Sequence, residues 1–143
     1  MFHAELAQQP LATKREFHCI NLEGLREKTD GRVEVLSGLV RLALSVGREQ
    51  MEAINQQMTL GNVSGLVRWV HALRNTFVVL EASYGMRIAE AIEFELMEHH
   101  ALPTTNDILN LNKAFDGVER DLLDYIKMHA DQPRRTMSEE FAC

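Results

Sequence analysis

Hydrophobic positions along this chain recur every three or four residues in long runs, the spacing of amphipathic helices. Leu36, Leu39, Val40, Ala43, Gly47, Met51, Ile54 and Met58 form one such run, which stops at Gly61 and Asn62. A short helix from about Leu22 to Lys28 precedes it. Thr29, Asp30 and Gly31 end that short helix, and Asp30 is placed to cap the long one. A third segment extends from about Val63 to Ala82, where Ser83, Tyr84 and Gly85 are expected to bend or interrupt it. A fourth carries Ile88, Ala91, Ile92, Leu96 and His99. After Pro103, Thr104 and Asp107 are spaced like a capping box. The last helix repeats Ile108, Leu111, Phe115, Val118, Leu122, Tyr125 and His129, an alternation suited to bundle packing. No strand-like alternation stands out. The pattern predicts an all-α protein: an antiparallel four-helix bundle over residues 21–130, a short N-terminal helical extension over 1–20, and a polar tail over 131–143.

The third helix holds the most informative register. At about 100° per residue, and taking His71 as zero, Leu66, Trp69, Val70, Leu73, Phe77 and Leu80 fall between roughly 160° and 260°. His71 therefore points nearly opposite the apolar stripe. Ser64, Val67, Arg68, Arg74, Asn75 and Val78 lie within about 60° of it. This imidazole is too exposed to be a packing residue, and it sits between two arginines. It suits a group that meets another protein and carries negative charge.

Composition narrows the classes. A chain of 143 residues fits one domain with a single substantial core. A formal charge of −6 argues against a nucleic-acid partner, which demands a basic surface. No apolar run approaches the roughly 18–20 residues needed to cross a bilayer, so no membrane role is expected. The segment Met1 to Leu6 lacks the basic start and apolar stretch of a secretory signal. Cys19 and Cys143 make no disulfide framework. A reduced, cytoplasmic protein is the expectation.

Other chemistry is weakly signalled. Glu95 and His99 share a helix face, but His100 points about 100° away from His99, so no metal site is predicted. The paired Glu-x-x-His motifs of di-iron bundles are missing. Glu90, Glu93, Glu95 and Glu98 read as a solvated helix face. Trp69 and Tyr84 are expected at the core edge. Neither a P-loop nor another glycine-rich nucleotide motif appears, so the chain is expected not to be an ATP-dependent kinase.

The order of elements resembles that of a histidine-containing phosphotransfer (HPt) domain over roughly residues 20–127. Asn21 to Arg26 is similar to that family's leading acidic-leucine segment. The family's site reads roughly His-x-Leu-Lys-Gly-Ser, then small residues and Leu-Gly-Ala. Here it reads His71-Ala72-Leu73-Arg74-Asn75-Thr76, then Leu80-Glu81-Ala82. Ile92-Glu93 falls, without a gap, where the family usually has Leu-Glu. Arg74 stands in place of Lys and keeps the charge, with a guanidinium able to grip phosphoryl oxygens in a fork. Asn75 replaces a Gly that leaves room for the partner. Glu81 replaces a second Gly, and Gly85 sits where a bulky apolar residue is commoner.

The resemblance implies a phosphoryl carrier. His71 would accept a phosphoryl group from a receiver-domain phospho-aspartate and pass it to another response regulator. Histidine suits this because its ordinary pKa near 6.5 leaves much of it neutral and nucleophilic at cell pH. Arg74 would neutralise the phosphoryl charge, with Arg68 a weaker candidate. Ser64, Val67, Arg68, Asn75 and Val78 would contact the partner, Val67 and Val78 forming a dry centre. The chain itself needs no cofactor, since Mg²⁺ is expected on the receiver. Its partners would be response-regulator receiver domains and a hybrid sensor kinase. A monomer is expected, with Leu42, Leu44 and Val46 as the alternative dimer face. Two other classes remain open: an HPt-like bundle that binds a receiver or kinase and regulates it without phosphorylation, and a metal-binding or structural bundle.

Overall fold

The computed structural model describes residues 17–130. Among them are five helices and no strand: α1 (Leu22–Lys28), α2 (Val33–Leu60), α3 (Val63–Val79), α4 (Ser83–His99) and α5 (Thr105–Ala130). Each long helix packs on its neighbour in the chain, and α5 returns to pack on α2. The side-chain pairs give the directions. Arg48 meets Glu119 at 2.6 Å, and Asn55 exchanges amide hydrogen bonds with Asn112 at 3.0 and 3.1 Å. Seven residues forward on α2 are thus seven back on α5. Gln50 with Thr76 and Gln57 against Gly65 show the same reversal for α2 and α3. His71 with Glu93 and Phe77 against Gly85 show it for α3 and α4.

The core lies where the hydrophobic spacing predicted it. Leu36, Val40, Met51 and Ile54 of α2, Leu66, Val70, Leu73 and Phe77 of α3, and Leu111, Phe115, Val118 and Leu122 of α5 are all buried. Some positions differ from expectation. Leu44 is only 7% exposed and belongs to the core, so it cannot serve an outer dimer face; Leu42 beside it is 62% exposed. Ala91 and Tyr84 are exposed, because they sit on the outer side of α4, while Trp69 packs half-buried on the core as expected. Ile20, assigned to the extension, is buried in the core, with its backbone N–H and that of Cys19 donating to the buried Asp121 carboxylate. Residues 1–16 and 131–143, including His3, Cys143 and most of the predicted extension and tail, lie outside the described residues.

The helix ends show why two boundaries shift. Asp30 does not cap α2. Its φ is +54°, and it closes α1 with Gly31, whose N–H donates to Arg26 O at 2.8 Å. The residue before α2 is Arg32, which makes no side-chain cap. Gly61, at φ +67°, ends α2, and Asn62 caps α3 by accepting from Gly65 N–H at 3.0 Å. α3 ends at Val79. Glu81 adopts φ +53°, and Ala82 N–H donates to Phe77 O at 2.8 Å, the signature of a left-handed helix end. Ser83, Tyr84 and Gly85 begin α4 rather than bending α3. Gly85 is needed there: a Cβ would stand 2.9 Å from the Phe77 ring, which fills the space a bulky residue would take. Thr104 Oγ1 accepts from Asp107 N–H at 3.0 Å, which is one half of the predicted capping box.

Candidate functional site

The register of α3 leaves His71 at the surface, its side chain 49% exposed. Opposite it, Leu73 and Val70 anchor the helix in the core, so the ring cannot turn inward. Glu93 reaches across from α4. Its Oε2 lies 2.6 Å from His71 Nδ1, and its Oε1 lies 3.1 Å from Arg74 Nε. Only 15% of the Glu93 side chain is exposed, so this carboxylate is largely fixed between its two partners. A carboxylate only accepts hydrogen bonds, which assigns the proton of a neutral His71 to Nδ1 and leaves the lone pair on Nε2. Arg74 is held differently. Its buried Nε–H makes no aligned hydrogen bond, so the contact with Glu93 is an ion pair, and its Nη1 lies a looser 3.8 Å from Glu90.

The remaining predicted residues divide around this centre. Asn75 is exposed one turn beyond His71. It opens onto a groove of about 340 Å³ between α2 and α3, lined also by Leu39, Leu42, Ala43, Ala72 and Val79. Among the described residues, no charged side chain lines that groove. Val78 is 44% exposed beside it. Val67 is half-buried against the core, so it offers less dry surface than predicted. Arg68 is exposed, its guanidinium 5.8 Å from the Trp69 ring. Ser64 is tied to the helix start, its hydroxyl 3.3 Å from the capping Asn62 oxygen, two turns from His71. The surface is therefore two-sided: apolar toward α2, charged toward α4.

Glu93 is the residue of this cluster that the sequence pattern alone does not single out. It belongs to the acidic face of α4 with Glu90, Glu95 and Glu98, but those three are exposed and it is not. The signal was its place in Ile92-Glu93, where the resembling family carries an acid, but nothing local ties that position to a histidine 22 residues earlier. Glu81, which the motif comparison put near the site, belongs elsewhere. It lies at the α3–α4 turn and binds Lys28 at 3.3 Å and the Asn21 amide at 3.0 Å, tying α1 to the bundle. His99 pairs with Glu95 on its own helix at 3.3 Å, and His100 ends α4 at φ +51°. Among the described residues no three His, Cys, Asp or Glu side chains converge on a metal-sized gap, and no helix is long and apolar enough to cross a membrane.

No family model and no curated protein matches the sequence. The fold, however, is similar to the crystal structure of the HPt domain from a sensor hybrid histidine kinase of Shewanella, with a TM-score of 0.70. The likeness covers 79% of this chain and 97% of that one at 15% sequence identity. This chain has the fold of an HPt domain.

Proposed function

We propose that the chain is a histidine phosphotransfer protein in which His71 Nε2 carries the phosphoryl group. One observation carries the reading: on an HPt fold, an exposed histidine is hydrogen-bonded through Nδ1 to a fixed carboxylate, which leaves Nε2 outward and nucleophilic. In the forward step the Nε2 lone pair attacks phosphorus in line, and the bond from phosphorus to the receiver's aspartyl oxygen breaks. The proton on Nδ1 stays in its bond to Glu93, which holds the ring in that tautomer throughout the step. Return of the phosphoryl group to a second receiver reverses the step. Arg74 supplies cationic charge beside the ring, and the rest is positioning. Mg²⁺ belongs to the receiver in this scheme.

The partner side follows from the asymmetry of the surface. A receiver domain would lay apolar residues in the groove between α2 and α3, beside Asn75, while its aspartate approaches Nε2. The Leu42 and Val46 positions offered for dimerisation line that same groove, and the proposal gives that face to the receiver.

The test is transfer from a phosphorylated receiver or hybrid kinase to the purified protein and to His71→Gln. Acid-labile, alkali-stable label on the wild type and none on the variant is expected. Binding without label would establish instead a docking module that works without phosphorylation.

A further inference from the structure

The charged groups around His71 are arranged unequally, and the inequality has a use if the ring carries phosphate. Among the described residues, Arg74 of α3 and Glu90 and Glu93 of α4 are the charged side chains paired around it, with Arg68 exposed one turn earlier on α3. From α2, the groove beside it presents none. Arg74 is one turn on from His71, 25% exposed, and engaged by two acids of different grip. Glu93 is close and mostly buried, so its contact with Nε is an anchor. Glu90 is 3.8 Å from Nη1 and 59% exposed, so water competes strongly for that contact. The guanidinium is thus pinned at its Nε end and loosely held at its amino end, with most of its five donors uncommitted.

We propose that Glu90 is a positioning residue acting through Arg74: it holds the amino end of the guanidinium while His71 is unmodified and yields it to the phosphoryl oxygens once Nε2 is phosphorylated. A phosphoryl dianion is a stronger and better-matched partner for a guanidinium fork than a solvated carboxylate. The anchor on Glu93 limits the movement to a turn of the side-chain tip. Glu90 therefore weakens the phosphorylated state by competing for Arg74, and it sets how readily the group is given up. This rests on His71 being the phosphoacceptor.

Phosphoramidate tests it without any receiver. Nε2 attacks phosphorus, the P–N bond of the zwitterionic reagent breaks, ammonia leaves, and Nδ1 keeps its proton on Glu93. The ³¹P resonance of the loaded protein is then followed against pH in wild type, Glu90→Gln, Arg74→Gln and the double variant. A nearby guanidinium favours the dianion, so Arg74→Gln is expected to raise the proton affinity of the phosphoryl group. Freeing Arg74 by Glu90→Gln is expected to lower that affinity about two- to fivefold, the scale of an exposed ion pair. In the Arg74→Gln background the Glu90 substitution is expected to change nothing. An unchanged single variant overturns the proposal. So does an effect of Glu90→Gln that persists without Arg74, which would mean direct repulsion between carboxylate and phosphate. Failure of His71 to take phosphate from the reagent also overturns it. Failure of transfer from a receiver bears on the relay alone.

Discussion

Removing the Glu93 carboxylate tests whether the His71 tautomer is fixed by its hydrogen bond. In Glu93→Ala the acceptor at 2.6 Å from Nδ1 is gone. Hydrogen bonds to charged groups contribute about 1.5–3 kcal/mol to stability. The ring is half exposed, so water replaces part of that, and roughly 1 kcal/mol is left to favour Nδ1–H over Nε2–H. That is about a fivefold preference. Its loss returns the two tautomers to parity, so the fraction of rings presenting a lone pair at Nε2 falls from about five in six to about one in two, and the initial rate of loading by phosphoramidate is expected to fall a little under twofold. Glu93→Gln keeps an acceptor oxygen and is expected to load at about the wild-type rate. Imidazole ¹⁵N shifts report the tautomer directly in the same samples. An Ala variant that loads at the wild-type rate with Nδ1–H still dominant would refute the reasoning. A Gln variant as slow as Ala would show that charge, not acceptance, is what Glu93 supplies.

Leu73→Ala, which empties a fully buried position behind His71, is expected to cost about 2–5 kcal/mol in urea unfolding, whereas His71→Gln is expected to cost no more than about 1 kcal/mol, the worth of its bond to Glu93. Gly85→Ala places a Cβ 2.9 Å from the Phe77 ring and is expected to destabilise by about 1–3 kcal/mol despite the better helix propensity of alanine; a raised Tm would show that the ring yields freely. His129 titrates below the ordinary histidine range, first because burial disfavours its charged form and second because Arg26 repels it. The unfolded chain therefore binds this proton at higher pH than the folded one, and the stability it contributes is present above about pH 6.5 and lost as pH falls through the folded value. His129→Phe, which keeps a ring against Tyr125 at the 4.1 Å stacking position, is expected to flatten the fall in Tm between about pH 7 and 5; an unchanged slope would assign that fall to other groups.

What the sequence revealed and what it hid divide along one physical line. The exposure of His71 is a local property: it follows from the 3.6-residue period of α3 and the apolar residues on its far side, all within two turns. The helices and their core faces are legible for the same reason. The residue that tunes His71 is not local, since Glu93 reaches it only because the α3–α4 turn folds α4 back at a particular register. Periodicity places Glu93 on the same outer surface as Glu90 and cannot say which of the two meets a histidine. The turn itself is hidden in the sequence because a charged residue, Glu81, takes the left-handed conformation usually given to glycine, while Gly85, which looks like a breaker, lies inside a helix to admit the Phe77 ring. The two departures from the motif consequently weigh differently. Glu81 stands more than two turns from His71 and holds α1 to the bundle through Lys28 and Asn21, so its charge serves the fold. Asn75 remains on the His71 face at the mouth of the apolar groove. Of the two, only Asn75 is placed to be read by a docking partner, and transfer from a receiver is where its substitution by Gly should register, while loading by phosphoramidate stays unchanged.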